Sequence, residues 1–298
     1  VTGYVVNLLN TPYVVMQLGL HDFGIWSITG AIAQLAALFD LGITRATIRY
    51  VALFHARGEA DKGRQVLGVM IAGLSILICV LYLLAFLTSG LLNRILYTGD
   101  PALARLLAMS AVTMLGFGLL GRGLAAAATG KGRYVPANIG LAALAVSQVG
   151  GGVAALIMSP TLRNFALGSA IGAAVGFIAI VTSLLVDEGW IEIGWPKIDL
   201  VKEIAVYGLK GQVLGGADVI FLQSGKIIAG VILGPSAAGT YELGSRLVQG
   251  AQSFGATASV ALGTHLTRAY AIGGLAEILV QYRYLTRRNA SVAIFFPL

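Results

Sequence analysis

Long apolar runs, separated by short polar or glycine-containing phrases, fill this chain from end to end. Nine candidate helices follow from them: 1–18, 24–51, 64–87, 102–128, 135–158, 163–186, 203–233, 236–263 and a last begun near 288. Most runs exceed 18 residues, too long and too many for the core helices of a soluble domain. Strand-type alternation is absent, and helices are the spanning element that a bilayer then leaves. The pattern predicts an all-α polytopic membrane protein. Val1 and Leu298 both fall inside apolar stretches, so the sequence reads as a fragment cut at both ends.

One phrase occurs twice. Leu18-Gly19, four residues, Gly24, Ile25 and Trp26 return about 215 residues later as Leu233-Gly234, four residues, Gly239, Thr240 and Tyr241. Each copy joins two apolar runs, which suggests two related halves. Lys and Arg then set the orientation. They crowd into 45–64, 122–133 and 264–288, whereas 19–23 and 234–239 hold none. The positive-inside rule places the first group in the cytoplasm, so the first helix runs outward from a cytoplasmic N-terminus. Six helices lie between the starts of the two phrases, an even number, and the repeats are therefore parallel. The expected architecture is two parallel-repeat six-helix bundles, the second incomplete here. Residues 1–186 form the first bundle, 187–202 a cytoplasmic interfacial linker, and 203–298 the start of the second.

Composition sharpens the class. Hydrophobic residues make up 57% and charged residues 11% of the chain, against about 25% charged in soluble domains. The net charge of +7 follows from loop Lys and Arg and does not call for nucleic acid. The single cysteine, Cys79, excludes an internal disulfide and reads as core packing. His21, His55 and His265 lack metal-ligand spacing, and no phosphate loop or catalytic constellation emerges. Neither an enzyme nor a cofactor or metal site is expected.

Charged residues inside spans cost roughly 2.5–3.5 kcal/mol each on insertion scales, so they normally face a partner or a cavity. Glu242, Arg246, Gln249 and Ser253 recur at spacings of four, three and four, one stripe on a helix. That stripe suits a cavity wall for a polar substrate, or a polar seam with Glu242 and Arg246 paired. Lys226 lies eight residues before Gly234 and Glu242 eight after it, so a Lys226–Glu242 pair across the hairpin is also expected. Asp218, near mid-span, is the candidate for protonation or cation coupling by H+ or Na+. Gly211 and Gly215 allow close helix contact. In the second helix, Gln34, Arg45 and Arg49 fall within about 60° of one another, and Asp40 about 140° from Arg45. The two arginines suit capture of a pyrophosphate or snorkelling to headgroups. Gln148 reads as interhelical glue, and Gly150-Gly151-Gly152 as a kink or close packing.

Arg49-Tyr50-Val51-Ala52, the Arg57-Gly58-Glu59 turn, Asp40-Leu41-Gly42, Tyr207-Gly208-Leu209-Lys210, the two Leu-Gly phrases, and Tyr241 with Arg246 have a family likeness. Together, in order along the whole chain, they resemble the oligosaccharide (O-antigen type) flippases of the multidrug/oligosaccharidyl-lipid/polysaccharide exporter superfamily. The resemblance implies translocation of a lipid-linked (polyprenyl-pyrophosphate) oligosaccharide across the bacterial inner membrane, for surface polysaccharide and lipopolysaccharide synthesis. It implies alternating access by a monomer, with the polyprenyl tail left in the lipid bilayer. Arg45, Arg49, Lys226 and Arg246 would meet the anionic group, and Gln249 and Ser253 would offer hydrogen bonds to sugars. The alternatives are a cation-coupled multidrug exporter of the same superfamily and a polytopic glycan polymerase or ligase. The first would favour acidic and aromatic cavity residues, and the second a large outer loop.

Overall fold

The computed structural model describes residues 2–40, 42–96, 98–188 and 192–250, and every regular element among them is helical. In chain order these are α1 (Thr2–Ala36), a 3-10 turn (Ala37–Asp40), α2 (Ile43–Ala56), α3 (Ala60–Leu87), α4 (Ser89–Leu96), α5 (Pro101–Gly130), α6 (Tyr134–Met158), α7 (Leu162–Glu188) and α8 (Ile198–Leu233). A further helix, α9, occupies 235–250. Four of them, α3, α5, α6 and α7, are long and apolar enough to cross a membrane. Even a span of 25 residues reaches about 37 Å, beyond a hydrocarbon core of ~30 Å. Residues 10–242 gather into one compact unit; the described parts of 1–9 and 243–298 belong to a second, in which 2–9 and 243–250 are helical.

Both copies of the repeated phrase turn on the same residue. Gly19 sits at φ 76°, ψ 166° and Gly234 at φ 93°, ψ 169°, a region essentially reserved for glycine. Each is a one-residue break between helices, tighter than the gaps at 19–23 and 234–235 left between the predicted helices.

The helix expected over 24–51 is not continuous. It breaks after Ala36 into the 3-10 turn, and α2 restarts at Ile43. Asp40 supplies the chemistry: its Oδ1 accepts the Gly42 N–H at 2.8 Å, a local turn that competes with the helix ladder. Gly42 adopts φ 67°. From α8, the Gln212 side-chain amide donates to the Leu38 carbonyl at 2.9 Å, meeting a carbonyl that the break leaves over. Gly208 lies so close that a Cβ at Gly42 would come 2.9 Å from its Cα. Gln34 therefore does not share a face with Arg45 and Arg49, since the break stands between them.

Helices α6 and α7 pack along a glycine seam. Gly151 and Gly168 each lie against the other's carbonyl, Gly172 lies against Ser147, and Gly176 against Leu144. Close backbone approach of this kind substitutes dispersion for the hydrophobic drive that lipid cannot supply. Of the two readings of Gly150-Gly151-Gly152, close packing is the outcome, because α6 runs through unbroken. One core joins α2, α3, α5, the C-terminal half of α7 and the start of α8 around Tyr50, Met70, Leu124 and Ile180; a smaller one joins Ile28, Leu96, Leu107 and Ala238. Leu96 comes from α4, a helix hidden within an apparent connection. Cys79 is not in the core. It is exposed on α3 beside Ile76, Val80 and Leu83, an apolar face suited to lipid.

The linker is shorter than expected, since α7 continues to Glu188 and α8 begins at Ile198. Its described part docks on the start of α3, where the Gly194 N–H donates to the Arg64 carbonyl at 2.9 Å and Glu192 pairs with Arg64.

Candidate functional site

Three helices line a half-open cavity of about 330 Å³. Each contributes one face: Trp26, Gly30, Ala33 and Gln34 from α1, Met114, Gly118 and Arg122 from α5, and Leu141, Leu144 and Gln148 from α6. Spacings of three and four put each group on one side of its helix. The wall is apolar apart from the Arg122 guanidinium, the two amides and the edge of an indole. The Trp26 ring is held from behind by Phe165 of α7, edge to face at 5.3 Å.

Arg122 is the residue that sequence reasoning missed. Counting it with Lys131 and Arg133 as a connecting-loop cation was wrong, because it lies within the helix predicted over 102–128 and observed to Gly130. Eight residues at 1.5 Å per residue place it about 12 Å inside the helix end. Its side chain also turns the wrong way for snorkelling: Nε donates to the Gly118 carbonyl at 3.1 Å, one turn back toward the middle of the helix. Packed round by protein yet keeping exposed surface, the guanidinium presents that surface to the cavity. The signal was available in the spacing of Gly118 and Arg122 within an otherwise apolar, glycine-rich run.

Asp40 stands within electrostatic reach of both Arg122 and Arg45. Because the helix breaks between Ala36 and Ile43, a continuous helical wheel does not describe where Asp40 stands relative to Arg45. Arg45 and Arg49 are both exposed on α2. Arg49 lies over the Tyr207 ring of α8 at 4.3 Å and near Tyr50 at 5.9 Å, a cation–π arrangement that fixes a guanidinium otherwise free to snorkel.

Lys226 and Glu242 form a buried ion pair, 6% and 8% exposed. The pair expected from the spacing about Gly234 is therefore present, and its two charges largely cancel. Arg246 and Gln249 are half-buried on α9. Ser253 lies outside the described residues, as do the side chain of Asp218 and the surroundings of Gly211 and Gly215. Among the described residues no three His, Cys, Asp or Glu side chains group to hold a metal ion.

What the cavity can do follows from its wall. A planar guanidinium offers forked donors to a carboxylate or phosphate. Glutamine amides donate and accept, as hydroxyl groups require. Such a wall solvates a polar, anionic group inside a span.

Comparison with known families matches residues 1–262 to a model described as polysaccharide biosynthesis protein, and the chain belongs to that family. No curated protein and no solved structure matches it.

Proposed function

We propose that this member of the polysaccharide biosynthesis protein family is a flippase. It carries a lipid-linked oligosaccharide, built on polyprenyl pyrophosphate, across a bacterial inner membrane for surface polysaccharide assembly. The observation that carries the reading is Arg122, a cation well inside a span that turns toward the middle of its helix and borders a cavity. A cation there is costly unless it serves a partner or a substrate path. An anionic glycolipid headgroup, excluded by hydrocarbon, is a cargo that would require it.

In this reading two six-helix bundles of a nine-span or longer chain rock about the path. Arg45 and Arg49 meet the pyrophosphate first, and Arg122 with Gln34 and Gln148 receives polar parts deeper in. Arg246 would add a further cation for the anionic group, and Gln249 and Ser253 hydrogen bonds for sugars. Lys226 and Glu242, being mutually neutralised, hold α8 to α9 rather than attract the anion. Asp218 is the residue for coupling to H+ or Na+. The protein works as a monomer without a cofactor and is not an enzyme. A drug exporter would present acidic groups to a cationic cargo, whereas this cavity presents a guanidinium and amides.

The test is complementation in a flippase-deficient strain, reading surface glycan and the lipid-linked precursor on the cytoplasmic leaflet. The intact protein should restore surface glycan and relieve the precursor. Persistent precursor accumulation with every glycan tried would reject the reading.

A further inference from the structure

We propose that the cavity between α1, α5 and α6 is a subsite for a single acidic sugar ring, a monosaccharide bearing one carboxylate. The inference rests on the flippase reading for its biological meaning and on the wall of the cavity for its chemistry.

Size sets the first limit. A volume of about 330 Å³ is at the bottom of the ~300–1,000 Å³ range of small-molecule pockets. It holds one ring and, being half open, leaves any further rings of a glycan outside.

The wall sets the chemistry. Trp26, braced by Phe165, offers a fixed aromatic surface for the C–H face of a sugar. Gln34 and Gln148 approach from two different helices, so their amides can bracket a ring bearing hydroxyl groups. Arg122 supplies a guanidinium whose Nε is already committed to the Gly118 carbonyl. That bond fixes the plane of the fork and leaves the other N–H donors for an acceptor in the cavity.

Charge then separates the possible anions. Asp40 is within electrostatic reach of Arg122. A carboxylate carries one negative charge and suits one guanidinium. A diphosphate would bring several charges toward the Asp40 carboxylate and meet repulsion. A neutral sugar offers the guanidinium only hydroxyl oxygens, weaker partners than a carboxylate that accepts both arms of the fork.

The test uses the full chain in detergent micelles, with W190F and W195F leaving Trp26 as the indole reporter. D-glucuronate, D-glucose and inorganic pyrophosphate are titrated against its fluorescence. Glucuronate should give a saturable change, with glucose and pyrophosphate at least ~100-fold weaker, as expected where a site loses its matching group. Arg122→Gln should abolish the glucuronate response, and Arg122→Lys should retain part of it, with both variants eluting as the parent does. No saturable response to glucuronate, an equal response to glucose, an unchanged response in R122Q, or tighter binding of pyrophosphate would each overturn the subsite. Glucuronate binding without complementation would reject the flippase reading and keep the subsite. Complementation without binding would do the reverse.

Discussion

Gly24 and Gly239 meet in a reciprocal contact. A Cβ on Gly24 would overlap the Pro235 carbonyl and lie 3.1 Å from the Gly239 nitrogen; one on Gly239 would lie 2.7 Å from the Leu20 carbonyl oxygen and 3.4 Å from the Gly24 Cα. The offset that relates the two repeated phrases takes residue 24 to 239 and residue 20 to 235. The two phrases thus touch one another through equivalent atoms, the pattern of a two-fold contact. The repeat is therefore more than a shared spelling: its glycines are the surface by which the two copies pack.

Substitution at these glycines should be costly in proportion to the backbone overlap. Gly24→Ala and Gly239→Ala should each destabilise the protein by about 1–3 kcal/mol, the range for overpacking. Gly19→Ala should cost a similar amount for a different reason, since its Cβ would meet open space but its backbone conformation belongs to glycine. Gly150→Ala is the control, helical and with nothing within 4 Å, and should be neutral or slightly stabilising. Thermal unfolding in detergent ranks the four. A Gly24→Ala protein as stable as G150A would remove the contact from the account.

Asp40 has two roles that a pair of substitutions separates. Its Oδ1 caps the turn at Gly42, and its charge acts on Arg122. Asp40→Asn keeps an acceptor and removes the charge, whereas Asp40→Ala removes both. The alanine variant should lose about 1 kcal/mol more than the asparagine variant, the usual size of a lost side-chain cap. Without the neighbouring negative charge, D40N should bind glucuronate several-fold more tightly in the Trp26 titration. Weaker binding by D40N, at unchanged stability, would contradict the electrostatic link between Asp40 and Arg122.

How much of this was legible beforehand depended on which physical signal each feature leaves in sequence. Apolar length is a strong signal, so α3, α5, α6 and α7 emerge within a few residues of their observed bounds. The Lys226–Glu242 pair was legible because Gly234 fixes a tight turn and equal distances on either side of it imply equal depth. The break at Ala37–Gly42 was not, because every residue there is compatible with a helix except in combination. Asp40, Gly42, Gln212 and Gly208 act jointly, and two of the four come from α8, far along the chain. Arg122 was lost to the charge count rather than to a boundary: the predicted helix 102–128 already held it, six residues from its end, yet it was grouped with the loop cations Lys131 and Arg133. Cys79 was misjudged because an apolar run does not state which of its faces meets lipid and which meets protein.

The α6–α7 seam gives a prediction about assembly rather than transport. Gly168 and Gly172 face the backbone of α6 at Gly151 and Ser147, with no flexible side chain there to move aside. Gly168→Val and Gly172→Val should separate the two helices and lower the yield of folded protein markedly. Gly150→Val, on the same stretch of α6 but facing open space, should leave the yield near that of the parent. Size-exclusion profiles of the extracted proteins distinguish these outcomes. Equal monodisperse yields for all three would show that the seam is dispensable.

The last prediction concerns the buried pair. Lys226 and Glu242 are almost wholly enclosed, so each charge depends on the other for solvation. Removing one partner leaves an uncompensated charge: Lys226→Met or Glu242→Gln should each destabilise by about 3–5 kcal/mol. Replacing both with apolar residues of similar volume, in K226M/E242L, removes the desolvation problem and should recover most of the loss. That non-additivity is the signature of a direct pair. It also bears on function, because a pair that only holds α8 to α9 predicts that the double variant retains flipping in the complementation assay. A double variant as stable as the parent but unable to export glycan would instead place the two charges in the substrate path. An additive loss of stability in the double variant would show that the two side chains do not depend on one another.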